Sequence, residues 1–279
     1  MASKAGAIRP GGQALADGVL MRTKLAWAIA RADGTVETGA IARTPMGHVP
    51  GLRVLAGLAG GLRLGVGRGF FRGRAHGGNR RFLFILAATE LVALGLLFGL
   101  GPMADGLPAP LSALLSLSSG AIALTIVRKA APGSLWRYHG AEHKAAAAFE
   151  AGAPANDVDA ALAMTRLHPR CGTNLLVPLA AVGIALSGLS SAAQLIGGAA
   201  ALAFTAEALT LAARRRTALW SRLLLAPGLF LQRYVTTAEP TREEQAVACH
   251  AMVACLEEHA RQMEPAFAPV LPLVTAAAA

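Results

Sequence analysis

His139-Gly-Ala-Glu142-His143 puts two imidazoles and a carboxylate within one turn of chain. Residues four apart in an α-helix lie one above the other, so His139 and His143 are spaced to grip one metal ion together. Glu142 is placed to orient or deprotonate a water beside that ion. The order H-x-x-E-H is that of the inverted zincins. A second cluster, His168-Pro-Arg-Cys171-Gly, follows in a loop interrupted by Pro and Gly. A histidine and a cysteine three apart in a turn are chelate-spaced for Zn²⁺, with Pro169 and Gly172 fixing the turn. His139, His143, His168 and Cys171 are therefore candidate ligands of a divalent metal, zinc by donor type. Glu142 is the candidate general base, and Arg170 is placed to hold a carbonyl or phosphate oxygen.

The elements that must position these groups are apolar. The chain is 54% hydrophobic and only 15% charged, and its mean hydropathy is +0.48, well above a soluble globular protein. Four stretches, 82–101, 107–127, 175–189 and 192–213, read as transmembrane helices, since roughly 20 residues cross the ~30 Å hydrocarbon core. Residues 1–81 hold 13 Lys/Arg against 3 Asp/Glu, a net of +10, whereas residues 82–279 hold 13 against 13. The 101–106 loop has no Lys or Arg, the 128–174 loop has six, and Arg214-Arg215-Arg216 closes the last stretch. By the positive-inside rule both termini and the 128–174 loop, with its metal motif, face the cytoplasm. The first twenty residues lack the continuous apolar core of a signal peptide. Three cysteines, two of them on the last segment, argue against a disulfide framework.

The segments outside the spans are of two kinds. Lys24–Ala32 and Thr35–Arg43 are strand-like runs around Asp33-Gly34, a hairpin turn signal. From Leu52 to Arg74 apolar residues alternate with arginines, as in a basic segment lying on an anionic cytoplasmic leaflet, although its seven glycines weaken a helix. No recognition motif accompanies these arginines, so no nucleic-acid partner is expected. Residues 214–279 read as a helical carboxy-terminal segment and tail. Glu207, inside the last apolar stretch, is expensive there unless it meets a metal or a cation, and it is a candidate ligand or ligand-supporting group. Glu90 has the same problem nearer mid-membrane. Cys249 and Cys255 read as packing residues, and His48, His76, His250 and His259 belong to no pattern.

Four segments carry a resemblance. Gly11-Gly-Gln-Ala-Leu-Ala-Asp-Gly-Val-Leu-Met-Arg22, Tyr138-His-Gly-Ala-Glu-His-Lys144, His168-Pro-Arg-Cys-Gly-Thr173 and Leu231-Gln-Arg-Tyr-Val-Thr-Thr-Ala-Glu-Pro240 are similar to the signature blocks of the YqhQ family over residues 8–256. That family comprises bacterial membrane proteins of unknown function, labelled as metal-dependent enzymes. One departure is Ala16-Asp17-Gly18 where the family reads Ile-Glu-Gly, which shortens a carboxylate by one methylene. The resemblance implies an inner-membrane, metal-dependent protein, and it adds Glu239 as a candidate. Otherwise Glu239 reads as part of the capping of a helix starting near Thr241.

The expectation is a mainly α, polytopic membrane protein with about four transmembrane helices and a small cytoplasmic element containing a β-hairpin. Its activity is expected to be metal-assisted hydrolysis at the cytoplasmic membrane face, on a substrate the sequence does not name. Two other classes compete. One is a regulatory or scaffold membrane protein, in which four ligands close a structural metal site. The other is a transporter or channel-associated factor with Glu90 and Glu207 along an ion path, against which the halves show no repeat.

Overall fold

The computed structural model describes residues 8–41, 60, 109–186 and 189–263. The expected span 82–101, the basic 52–74 segment apart from Gly60, the 101–106 loop, Glu90, His48, His76 and the tail beyond 263 lie outside the described residues.

Four strands, β1 (Gly11–Leu15), β2 (Gly18–Arg22), β3 (Ala26–Arg31) and β4 (Val36–Ala40), form an antiparallel meander in chain order. The expected hairpin at Asp33-Gly34 is the β3–β4 pair, with Ala30 opposite Val36 and Ala26 opposite Ala40. Gly34 takes a φ of +83°, and Asp33 Oδ1 accepts the Thr35 N–H at 3.0 Å. The sheet is twice the expected hairpin. Glycines at 11, 12 and 18 dilute the strand pattern of β1 and β2, but Asp17 at their turn pairs with Arg31 at 2.9 Å and ties the turn to β3. Val19, Met21, Ala28 and Ala30 line one face; Leu15, Leu20, Trp27 and Ile29 line the other. Both faces are buried.

Among the described residues seven helices follow: α1 (Ala109–Ala130), α2 (Gly133–Glu150), α3 (Val158–Leu162), α4 (Leu176–Leu186), α5 (Ser191–Arg214), α6 (Leu219–Leu231) and α7 (Arg242–Met263). A 3-10 turn, Gly172–Leu175, leads into α4, and a π-helical turn, Gln232–Thr236, ends α6. The alanine-rich half of α2 and the Ala248–Cys255 face of α7 pack on the Val19 side of the sheet as one core. Cys249 and Cys255 are packing residues there, as expected. His259 is not incidental: its Nδ1 meets Thr23 Oγ1 at 2.7 Å and fastens α7 to the β2–β3 turn.

Of the expected spans, 192–213 is α5, and among the described residues one helix, Ala192–Arg214, is long and apolar enough to cross a membrane. The 107–127 stretch is the 22-residue α1, whose first charge is Arg128. In the 175–189 stretch, helix α4 has 11 described residues, roughly 17 Å at 1.5 Å per residue; Leu175 belongs to the 3-10 turn, and residues 187 and 188 lie outside the described residues. The helix folds back on α5 as an antiparallel hairpin through Leu189-Ser190, whose hydroxyl accepts the Ala193 N–H.

Candidate metal centre

The site gathers along the middle of α2, where β1, the 163–171 loop and the π-helical turn converge. His139 and His143 are on the same side of α2, with ring centroids 4.5 Å apart. Gly140 between them is a packing requirement: a Cβ there would lie 2.1 Å from the Ala238 carbonyl oxygen, so α2 can approach the 236–240 segment only through glycine. That approach sets the first lock. His139 Nδ1 faces the Thr236 carbonyl oxygen at 2.6 Å, and His143 Nδ1 faces the Arg166 carbonyl oxygen at 2.6 Å. A carbonyl only accepts, so each Nδ1 carries the proton and donates it, leaving each Nε2 with a free lone pair. Cys171 brings its sulfur to 3.3 Å from His139 Nε2. Among the described residues, His139, His143 and Cys171 are the group whose ligand atoms all fall within 4.8 Å of one another.

This donor set fits a divalent transition metal. Zinc bonds of about 2.0–2.1 Å to nitrogen and 2.3 Å to sulfur at tetrahedral angles put N and S about 3.6 Å apart, close to the observed spacing. Backbone carbonyls on the far ring nitrogens are the usual support for ligating histidines. Burial lowers the His143 pKa well below 6.5, so it is neutral, as a ligand must be. Burial pushes the Cys171 thiol up, so a metal binding there must displace a proton.

Glu142 is 6% exposed, and its Oε2 lies 3.5 Å from His143 Nε2. Burial raises its pKa to about 7; the charge of Arg170 and the Gly12 backbone amide pull the other way. A carboxyl titrating near neutrality is matched to proton transfer at physiological pH. β1 forms the lid over it: a Cβ on Gly12 would lie 2.7 Å from Glu142 Cγ and 2.5 Å from the Leu20 carbonyl oxygen.

The other expected residues are placed differently. His168 is buried beside His143, with ring centroids 5.5 Å apart, but its Nδ1 accepts the Arg170 N–H at 3.4 Å. Its proton is therefore on Nε2, which is buried without a hydrogen-bond partner and 3.9 Å from Glu150 Oε1. His168 does not share the lone-pair arrangement of the other two histidines. Arg170 pairs with Glu150 and reaches the Pro10 carbonyl oxygen at 3.4 Å, strapping β1 to the end of α2. Glu207 lies half-buried on α5, outside the three-ligand group. Glu239 takes no part in capping α7; Thr241 and Glu244 do that, exchanging N–H bonds at 3.2 and 3.0 Å. Instead Glu239 pairs with the buried Lys144 at 2.9 Å and with Arg166 at 3.4 Å. It thereby joins α2 to the loop whose carbonyl holds His143.

Gln232 escaped the sequence reading. Fully buried, it accepts the His168 N–H at 2.7 Å and donates to the His168 carbonyl oxygen and Asn174 Oδ1, both at 3.0 Å. It fixes the loop that delivers Cys171. A lone glutamine after an apolar run was the available signal. The carbonyls of Thr236 and Arg166 leave no side-chain signal at all.

Residues 123–258 match the DUF1385 family model, described as a protein of unknown function. No curated protein and no solved structure matches the chain. The DUF1385 match contains every residue of the metal centre, and the β1 lid lies outside it.

Proposed function

We propose that the protein is a zinc-dependent hydrolase of the cytoplasmic face of a bacterial inner membrane; of this, the YqhQ resemblance implies only the inner membrane and the metal dependence. The observation that carries the reading is the pair of Nδ1–H···O=C locks, which turn two imidazole lone pairs toward one thiol beside a carboxyl titrating near 7. His139, His143 and Cys171 would hold the ion and leave its fourth position open. A bound zinc ion would supply Lewis acidity to an entering water and to a substrate oxygen. Glu142 takes the proton from that water and returns it to the leaving group, which a pKa near 7 permits in both directions. Gly12 and its strand keep bulk water off Glu142, and Arg170 holds that strand down. Membrane placement is supported by apolar side chains exposed on α1 and α5, among them Leu114, Ile122, Leu195, Ile196 and Phe204.

A closed structural site would need His168 as fourth ligand. That requires its Nε2 proton to move to Nδ1, against the Arg170 N–H, so the open site is favoured. Two variants in a strain lacking the chromosomal copy separate these readings. Glu142→Gln is expected to retain metal and lose function, while His143→Ala loses both. Full function in Glu142→Gln refutes hydrolysis through this carboxyl.

A further inference from the structure

α6 has two unlike faces. Ser221, Leu225 and Gly228 are buried. Leu225 packs with Leu209 and Ala212 of α5, and Gly228 lies so near Asn174 that a Cβ would meet its backbone at 2.5 Å. On the opposite side Leu219 is 71% exposed, Trp220 41%, Leu223 66%, Phe230 61% and Tyr234, in the π-helical turn, 62%. At about 100° per residue these five occupy an arc of roughly 100°, the width of one helix face.

We infer that this face is an in-plane anchor on an anionic lipid leaflet. Charge selects the occupant. Arg214, Arg215, Arg216, Arg222 and Arg233 are all exposed, and no Asp or Glu occurs from Arg214 through Ala238. By the same count Arg222 and Arg233 lie together along one edge of the apolar arc, where an interfacial helix carries the cations that meet lipid phosphates. Trp220 and Tyr234 have the amphipathic rings enriched at headgroup depth. Continuity sets the depth: α5, apolar enough to span, ends at Arg214, and α6 begins at Leu219. The inference rests on the membrane placement proposed above. It goes beyond that placement by giving the bilayer a second, flat contact, which runs through Gln232–Thr236 to the carbonyl that holds His139.

Tryptophan supplies the test, because Trp27 and Trp136 are buried and Trp220 is exposed. The full chain is reconstituted in phosphatidylcholine vesicles with and without phosphatidylglycerol, using plain or brominated acyl chains. Brominated lipid is expected to quench the emission, more strongly with phosphatidylglycerol present, and Trp220→Phe removes that quenching. Leu223→Glu with Phe230→Glu is expected to weaken quenching while bound zinc stays at the wild-type level. Trp220 quenched by aqueous iodide and not by lipid overturns the inference. Trp220 shielded from both quenchers also overturns it, and marks a second copy or another protein on this face. A chain that separates from the vesicles on flotation refutes the membrane placement itself.

Discussion

Glu142→Gln is expected to stabilise the metal-free protein above neutral pH and to do little below pH 5. The carboxyl titrates near 4.5 when unfolded and at about 7 in the fold, chiefly because burial disfavours its charge. A folded-state pKa raised above the unfolded value gives stability that is complete below pH 4.5 and is lost as pH climbs through 7. The shift of about 2.5 units, at 1.36 kcal/mol each, makes that loss roughly 3 kcal/mol by pH 8. Glutamine has the same shape and no charge to bury, so it escapes the loss. With about 2–4 °C per kcal/mol for a domain of this size, the variant should melt about 6–12 °C above wild type at pH 8. The assay is a thermal melt of chelator-treated protein in detergent at pH 5 and pH 8. Zinc restored to both proteins should shrink the difference, since a nearby cation favours the ionised carboxylate. Equal melting at pH 8, or a variant less stable there, refutes the claim that Glu142 is a buried carboxyl near a neutral pKa.

Gln232→Ala should strand the His168 N–H and Asn174 Oδ1 inside the fold, at about 1–3 kcal/mol for each buried group left unpaired, read by denaturant unfolding. Cobalt loaded in place of zinc should give a thiolate-to-metal absorption band in wild type; Cys171→Ser should lack the band, and an unchanged spectrum removes Cys171 from the site. Topology reporters after Arg216 or at residue 155 should score cytoplasmic and one at Asp105 external, and a cytoplasmic signal at Asp105 overturns the four-span expectation.

The core of the site was legible because its side chains do the chemistry themselves. The spacing of His139 and His143, and that of Cys171 from His168 in a turn, required only local periodicity and ligand chemistry, and the structure brings His139, His143 and Cys171 together. His168 looked equivalent in sequence; its separation from the others depends on which ring nitrogen meets a backbone N–H, and that is a tertiary fact. The same holds for Glu239, which resembles a helix cap until its pairing with Lys144 is seen. The hairpin at Asp33-Gly34 was readable from turn chemistry. β1 and β2 were not, because Gly12 is kept small by Glu142 across the fold and not by any strand preference.

The most direct test is elemental analysis of the full chain purified in detergent, beside His139→Ala and His143→Ala. About one zinc per wild-type chain, with little in either variant, is the expected result. No transition metal in wild type, or equal metal in all three proteins, contradicts the metal centre.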